Sequence, residues 1–311
     1  MGAPGVGRVR HHGVMPELPE VESLAVFLRE RAVGRTVAGV EVGAISALKT
    51  FRPAPQDLAG GTVVSSDRHG KWLDLGVRPA AGGDPLHLVF HLARAGWLRW
   101  SDALPATPVR PGKSPLALRV RLDDGSGFDL TEAGTRKRLA VHVVADPAEV
   151  RPIATLGVEP LSPEFTPERL GALLQARNQQ VKGLLRDQGT IAGIGNAYSD
   201  EILLVARTSP FALTRSFDAG KVARLHEATV GVLREAVAAA AGRPAAELKD
   251  AKRRGMRVHG RTGEPCPGWD GVPCGDTVHE VSFADSSLQY CPTCQTGGTP
   301  LADRRMSRLL R

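Results

Sequence analysis

The sequence predicts an α+β protein: an N-terminal antiparallel β-sandwich domain with a flanking helix, then a helical domain, then a small metal-stapled module. Three observations carry this. Short β-branched runs recur between residues 36 and about 145, helical spacing takes over from about 166 to 255, and all four cysteines fall between Cys266 and Cys294. At 311 residues the chain has room for two domains and a small third unit.

Taken in order, residues 1 to 14 (MGAPGVGRVRHHGV) are rich in Gly and lack apolar periodicity, so an unstructured extension is expected there. They also lack the apolar stretch of a secretory signal, which points to the cytoplasm. From Glu20 to Val33, the residues Val21, Leu24, Phe27, Leu28 and Ala32 recur at helical spacing, with acids early and arginines late as the helix dipole favours. The runs TVAGVEV, TVVSS, KWLDLGV, LHLVFHL, LALRVRL, GFDL and LAVHVV then read as strands, punctuated by turn signals such as Gly82-Gly83 and Asp123-Asp124-Gly125. These elements make a first domain over 15–150. Residues 151–165 are Pro-rich and read as a linker. Thr166 as cap and Pro167 in the first turn open a helical domain over 166–257, which includes an Ala-rich helix stopped by Gly242-Arg243-Pro244. The cysteine module spans 258–298, and 299–311 form a basic tail.

Lys and Arg outnumber Asp and Glu by 40 to 33, giving a net charge of +7. That balance suits a polyanionic partner, and it also suits a merely basic soluble protein. No stretch has the length of a membrane span. Cysteines confined to one short segment favour a metal site in a reducing compartment over a disulfide framework. Cys266, Cys274, Cys291 and Cys294 are spaced C-x7-C-x16-C-x2-C, and four thiolates can close a tetrahedral Zn²⁺ site that staples a unit with little core of its own.

The chemistry concentrates at Met15-Pro16-Glu17-Leu18-Pro19-Glu20-Val21-Glu22. A terminal proline is a secondary amine, and an α-amino group titrates near ~8 against ~10.4 for lysine, so it is more often neutral and ready to attack a sugar carbon. The adjacent Glu17 carboxyl can move protons. The plain structural reading of the same residues is a Pro-rich lead-in to a helix with acids in its first turn. Lys71 falls between two strand runs, on or near a hairpin turn. Between helical runs at 178–187 and 196–206, Gly189, Gly193 and Gly195 permit tight turns with backbone amides presented at a helix start, which suits a phosphate.

These motifs together resemble the formamidopyrimidine-DNA glycosylase and endonuclease VIII family. PELPEVE after a Met resembles its start, RHGKWLDL its lysine-bearing segment, KGLLRDQGTIAGIGNAYSDEILLVARTSP its helix-two-turns-helix element, and GRTGEPC with QYCPTCQ its zinc finger. The resemblance covers residues 15 to about 300. It implies a bifunctional glycosylase and abasic-site lyase acting on double-stranded DNA with oxidised bases or abasic sites, as a monomer associated with the nucleoid. It implies Pro16 as nucleophile, Glu17 as proton carrier and Lys71 as a catalytic phosphate contact. It likewise implies Lys182, Asn196 and Arg261 on DNA, and the four cysteines on one structural zinc.

The chain departs from the family pattern in several places. Seven residues separate the first two cysteines where a short spacer is usual, and Ser286 stands where the family commonly has a phosphate-binding Arg, which predicts a slow second elimination unless a cation such as Arg304 substitutes. Arg94, in His91-Leu92-Ala93-Arg94-Ala95-Gly96, replaces a gap-filling Met; its planar guanidinium suits a stacked position or the plain surface. Arg136, Lys137 and Arg138 suit phosphates or an ordinary solvated charge run. Few residues separate the Ala-rich helix from GRTGEPC, which favours oxidised pyrimidines over 8-oxoguanine. Because Pro16 is acylated unless it comes first, translation from Met15 is expected. One rival class stays open, a damaged-DNA-binding protein that kept the scaffold and lost excision; a zinc-containing RNA-binding protein would leave PELPEVE at the start without a reason.

Overall fold

The structure is a computed structural model. It describes residues 15–302 except 111, 113, 134, 135, 269, 270 and 284–286. The extension over 1–14, the position of Ser286, Arg304 and most of the basic tail therefore lie outside the described residues.

Among the described residues, helix α1 (Leu18–Ala32) precedes eight strands that form two four-stranded antiparallel sheets. One sheet runs β1 (Val37–Val42), β6 (Leu116–Leu122), β7 (Gly127–Glu132) and β5 (Gly96–Ser101); the other runs β2 (Thr62–His69), β3 (Trp72–Arg78), β4 (Leu86–His91) and β8 (Ala140–Val144). Their inner faces supply Val63, Leu73, Leu75, Phe90, Leu98, Leu118, Phe128 and Leu130, with Phe90 stacked on Phe128 across the core. Alpha1 closes this core with Leu24, Ala25 and Leu28, the apolar stripe expected from its spacing. The strand absent from the sequence reading is β5. It starts at a glycine, carries an outward Arg99 and pairs only with β7, so its signal was that of a loop.

The helical part comprises α2 (Arg151–Ala154), α3 (Pro167–Ala176), α4 (Val181–Arg186), α5 (Asn196–Val205), α6 (Ala219–Ala240) and α7 (Leu248–Gly255). Thr166 caps α3 and Asp218 caps α6 through their side-chain oxygens. A second core gathers Leu170, Leu184, Ile191, Ile202, Leu225 and Leu233, and Leu18 of α1 belongs to it. The first turn of α1 is thus packed into the helical domain, and its remaining turns lie between the sandwich and helices α6 and α7.

The segment 151–165 is more than a tether. It carries α2, bridges Val158 to Ile191, and offers Glu159 to Arg68, which also binds Glu22 and the Gly70 carbonyl. The last module is a hairpin of β9 (His279–Ser282) and β10 (Ser287–Tyr290) followed by α8 (Pro292–Thr296). Its small core joins Val258, Val278 and three of the cysteines to Leu204 of α5.

Candidate active site and DNA interface

Glu17 precedes α1, and its carboxylate is turned away from that helix. It accepts N–H bonds from Gly195, from Ala197 at 2.9 Å and from Tyr198 at 3.3 Å, so it fills the N-terminal cap of α5 from 178 residues away. The residue before α5 must be glycine for this to happen: a Cβ at position 195 would lie 2.4 Å from the Glu17 carboxyl carbon. Burial by itself pushes the Glu17 carboxyl up. Lys252, Lys71 and the Ala197 N–H outweigh it and hold the group at about 2. Glu17 is therefore a carboxylate at neutral pH, able to accept a proton or to face a cation.

Lys71 reaches the same place from the other domain. His69 pairs with Trp72, so Gly70 and Lys71 form a two-residue hairpin turn, and Gly70 alone of the two has a positive φ, 57°, as a type II′ turn requires. The turn packs on Leu156 and the Gly193 backbone. Burial lowers Lys71 to about 8, with Lys252 and Arg186 adding to the fall and Glu17 opposing it. A phosphate contact through this ammonium should weaken as pH rises through about 8. Titrating DNA affinity between pH 7 and 9.5 checks this, and a Lys71→Arg variant, which stays charged, should flatten the fall.

The site holds groups that sequence reasoning missed. Lys252, buried on α7, donates to Glu20 at 2.8 Å and to the Met15 carbonyl at 3.1 Å, and lies 3.6 Å from Glu17. Tyr198 donates its hydroxyl to Glu20 at 2.6 Å. In the run LKDAKRRG, Lys252 looks like one more solvated helix charge; the signal that could have found it is its i+4 spacing from Leu248 and to Met256, both buried.

The other predicted residues fall in three groups. Asn196, the first residue of α5, donates to the Ser287 carbonyl at 2.8 Å and so ties α5 to the hairpin module, while its Oδ1 is buried without a partner. Lys182 is buried, pairs with Asp200 and donates to the Asn196 carbonyl, and burial lowers its pKa against the pull of Asp200. Its ammonium supports the turn from behind. Arg261 spans Met256, Glu264 and the Arg254 carbonyl, stapling the end of α7 to the module.

Arg94 and Arg136 are exposed, on turns at the rim of the sandwich. His91 positions the first turn: its Nδ1 accepts the Ala93 N–H at 3.1 Å, and burial, reinforced by Lys71, holds the ring near 4 and so neutral. Ala93 has φ 53°, a conformation costly for a side chain by roughly 1 kcal/mol. Ala93→Gly is expected to raise the thermal midpoint by roughly 1 to 3 °C, and a lower midpoint would contradict that reading. Glu132, also missed, accepts the Arg138 and Leu139 N–H groups and so shapes the basic turn that carries Arg136.

The four cysteine sulfurs lie within 4.8 Å of one another. Cys266 and Cys294 are 3.8 Å apart, and Cys274 and Cys291 3.5 Å. Ligands at 2.3 Å around a tetrahedral zinc would sit about 3.8 Å apart, so the donor set fits that ion. The longer spacer after Cys266 does not prevent convergence. Burial raises Cys266 to about 12 and lifts Cys291 and Cys294 as well, so metal uptake would release protons.

An N-terminal segment docked under a helix start, a helix-two-turns-helix element and a four-cysteine hairpin together define a class of DNA-repair scaffold, and the comparisons agree. The formamidopyrimidine-DNA glycosylase N-terminal domain matches residues 15–141, and the helix-two-turns-helix domain of the same enzymes matches 156–246. A formamidopyrimidine-DNA glycosylase of Symbiobacterium thermophilum is 34% identical over 94% of this chain and 93% of its own length; that of Parafrankia sp. is 34% identical over 90% and 98%. A glycosylase-like protein of Mycobacterium tuberculosis is 55% identical over 48% of this chain and 90% of its own. A Lactococcus lactis enzyme bound to DNA containing an abasic site superposes with a TM-score of 0.76 at 25% identity, covering 90% of this chain and 99% of that one. The chain belongs to the formamidopyrimidine-DNA glycosylase family.

Proposed function

We propose that the protein is a bifunctional DNA glycosylase and abasic-site lyase of base excision repair, with Pro16 as its nucleophile. The observation that carries this reading is the seat of Pro16: Glu17, pinned on the α5 N-terminus, and Lys71, on its hairpin tip, share one electrostatic cluster where the two domains meet. A nucleotide flipped out of duplex DNA could reach this point. The Pro16 nitrogen lone pair forms the bond to C1′ as the base leaves with a proton. Loss of the amine proton and opening of the sugar ring give an iminium, removal of a C2′ proton gives an enamine, and expulsion of the 3′-phosphate breaks the strand. Glu17, held ionised, is suited to take a proton and to face the cationic intermediate. Zinc on Cys266, Cys274, Cys291 and Cys294 would close the finger fold and take no part in bond making.

The reading requires a chain that begins at Pro16, the product of translation from Met15 and removal of that Met. The family match that starts at residue 15 supports it. A chain that keeps residues 1–15 has an amide nitrogen there, and for that form binding to damaged DNA without excision is the reading to favour. The test is incubation of the form beginning at Pro16 with a duplex bearing one abasic site: strand cleavage is expected, and stable binding without cleavage would leave the non-excising reading in its place.

Monomeric protein on bacterial nucleoid DNA and a preference for oxidised pyrimidines complete the proposal. The lesion preference rests on the short stretch 241–259 between α6 and GRTGEPC, much of which is α7; a panel of single-lesion duplexes decides it, and strong preference for 8-oxoguanine opposite cytosine would reverse it. Asn196→Ala should weaken binding to damaged and undamaged duplex alike, by roughly tenfold, because it loosens a backbone-contacting junction. A loss confined to damaged DNA, read by fluorescence anisotropy, would put Asn196 in the lesion pocket instead.

A further inference from the structure

Lys252 has no task in the chemistry just described, yet its side chain is 1% exposed and its ammonium is the group that touches the peptide preceding Pro16. Nζ lies 3.1 Å from the Met15 carbonyl oxygen. That oxygen belongs to the acyl group on the Pro16 nitrogen, about 2.3 Å away by standard amide geometry, so the ammonium is within roughly 5.4 Å of the nitrogen itself. Nζ also lies 4.6 Å from the centre of the Tyr198 ring, which gives the ammonium a fixed seat.

The charges facing this point come from every element packed there. Glu17 and Glu20 come with α1, Lys71 from the β2–β3 turn, Lys252 from α7, and the Tyr198 phenol and the Glu201 carboxyl from α5, the last taken by the Arg257, Val258 and His259 N–H groups. His259 and Arg186 act on Glu17 and Lys71 from further out. On β2, Arg68 is taken by Glu22 and Glu159, and on α6, Glu235 is taken by Arg257. Glu17 and Glu20 are thus matched by Lys71 and Lys252. Remove Lys252, and two carboxylates face one lysine, a field that favours a protonated amine at Pro16.

We infer that Lys252 is a positioning residue that keeps the Pro16 amine in its neutral, attacking form by placing a fixed cation beside the nitrogen. The inference rests on the reading of Pro16 as nucleophile, and it concerns the amine nitrogen of the chain that begins there. A protonated amine has no lone pair to give, so the fraction of competent enzyme at a given pH depends on this neighbour.

The experiment uses the full chain beginning at Pro16, isotope-labelled at proline, with the Pro16 amine titrated by NMR and, in parallel, the pH dependence of borohydride trapping on an abasic-site duplex. Lys252→Met should raise the amine midpoint by about one to two pH units and move the acid limb of trapping with it. Lys252→Arg should leave both near the wild-type values. Lys252→Gln, which keeps a donor to Glu20 without the charge, replaces the methionine variant if that fails to fold, and the same upward shift is required of it. A purely structural role would lower stability without moving the midpoint, and an unchanged midpoint in the folded neutral variants overturns the inference. Wild-type protein that titrates as expected but never traps would remove Pro16 as nucleophile and is thereby told apart from failure of the Lys252 inference, which the amine titration alone decides.

Discussion

Glu17→Gln is expected to lower abasic-site cleavage by at least about 100-fold and to destabilise the fold by about 3 kcal/mol. Both effects have the same origin. The carboxylate accepts from three amides at the start of α5 and faces the buried Lys252 ammonium; a carboxamide loses the charge and leaves that lysine with Glu20 alone. The fall from 4.5 to about 2 sets the size of the stability term. Because the folded pKa lies below the unfolded one, this stabilisation is fully present above about 4.5 and is lost as pH falls toward about 2. Denaturant melts of wild type and variant should therefore converge at low pH. A Gln variant with wild-type cleavage would take Glu17 out of the chemistry. Equal stability at pH 7 would mean that its amide contacts contribute nothing net.

Loss of zinc is the second large effect. Cys291→Ser should abolish stoichiometric metal and lower duplex affinity by about 100-fold or more, since the module's core is two small clusters, Val258, Val278 and the cysteines against Leu204, and Val281, Leu288 and Tyr290 against Phe211. The damage should reach α5, because Asn196 is tied to Ser287 of the hairpin. Metal analysis of purified protein is expected to give one zinc per chain. If the serine variant kept full metal and full affinity, the finger assignment would be wrong.

How much of this was readable from the sequence depends on how local each signal is. Seven strand runs of the sandwich, the cap Thr166, the two helices around Gly189 to Gly195 and the cysteine cluster all declare themselves within a few residues, and all are present. The contacts that assemble the site are remote. Glu17 meets Ala197 across 180 residues, and Glu20 meets Lys252 across 232. Lys252 does fall on the buried stripe of α7, four residues after Leu248 and four before Met256, but a lysine there among Lys249, Arg253 and Arg254 reads as one of a charge run. For Lys182 the sequence shows a lysine beside a phosphate-suited turn, and only the packing adds that its ammonium is paired with Asp200. Strand β5 was missed for a third reason, an edge position that needs no alternating pattern.

The central claim is that the nucleophile is the amine of Pro16, and it is tested most directly by borohydride reduction in the presence of abasic-site DNA. Two forms are compared, one beginning at Pro16 and one retaining residues 1–15, with each mature N-terminus sequenced. The form beginning at Pro16 should become covalently joined to the DNA, with the label on its terminal residue, and the longer form should not. Equal trapping by an intact longer form would remove Pro16 from the mechanism and move the nucleophile to a lysine, with Lys71 the first to examine.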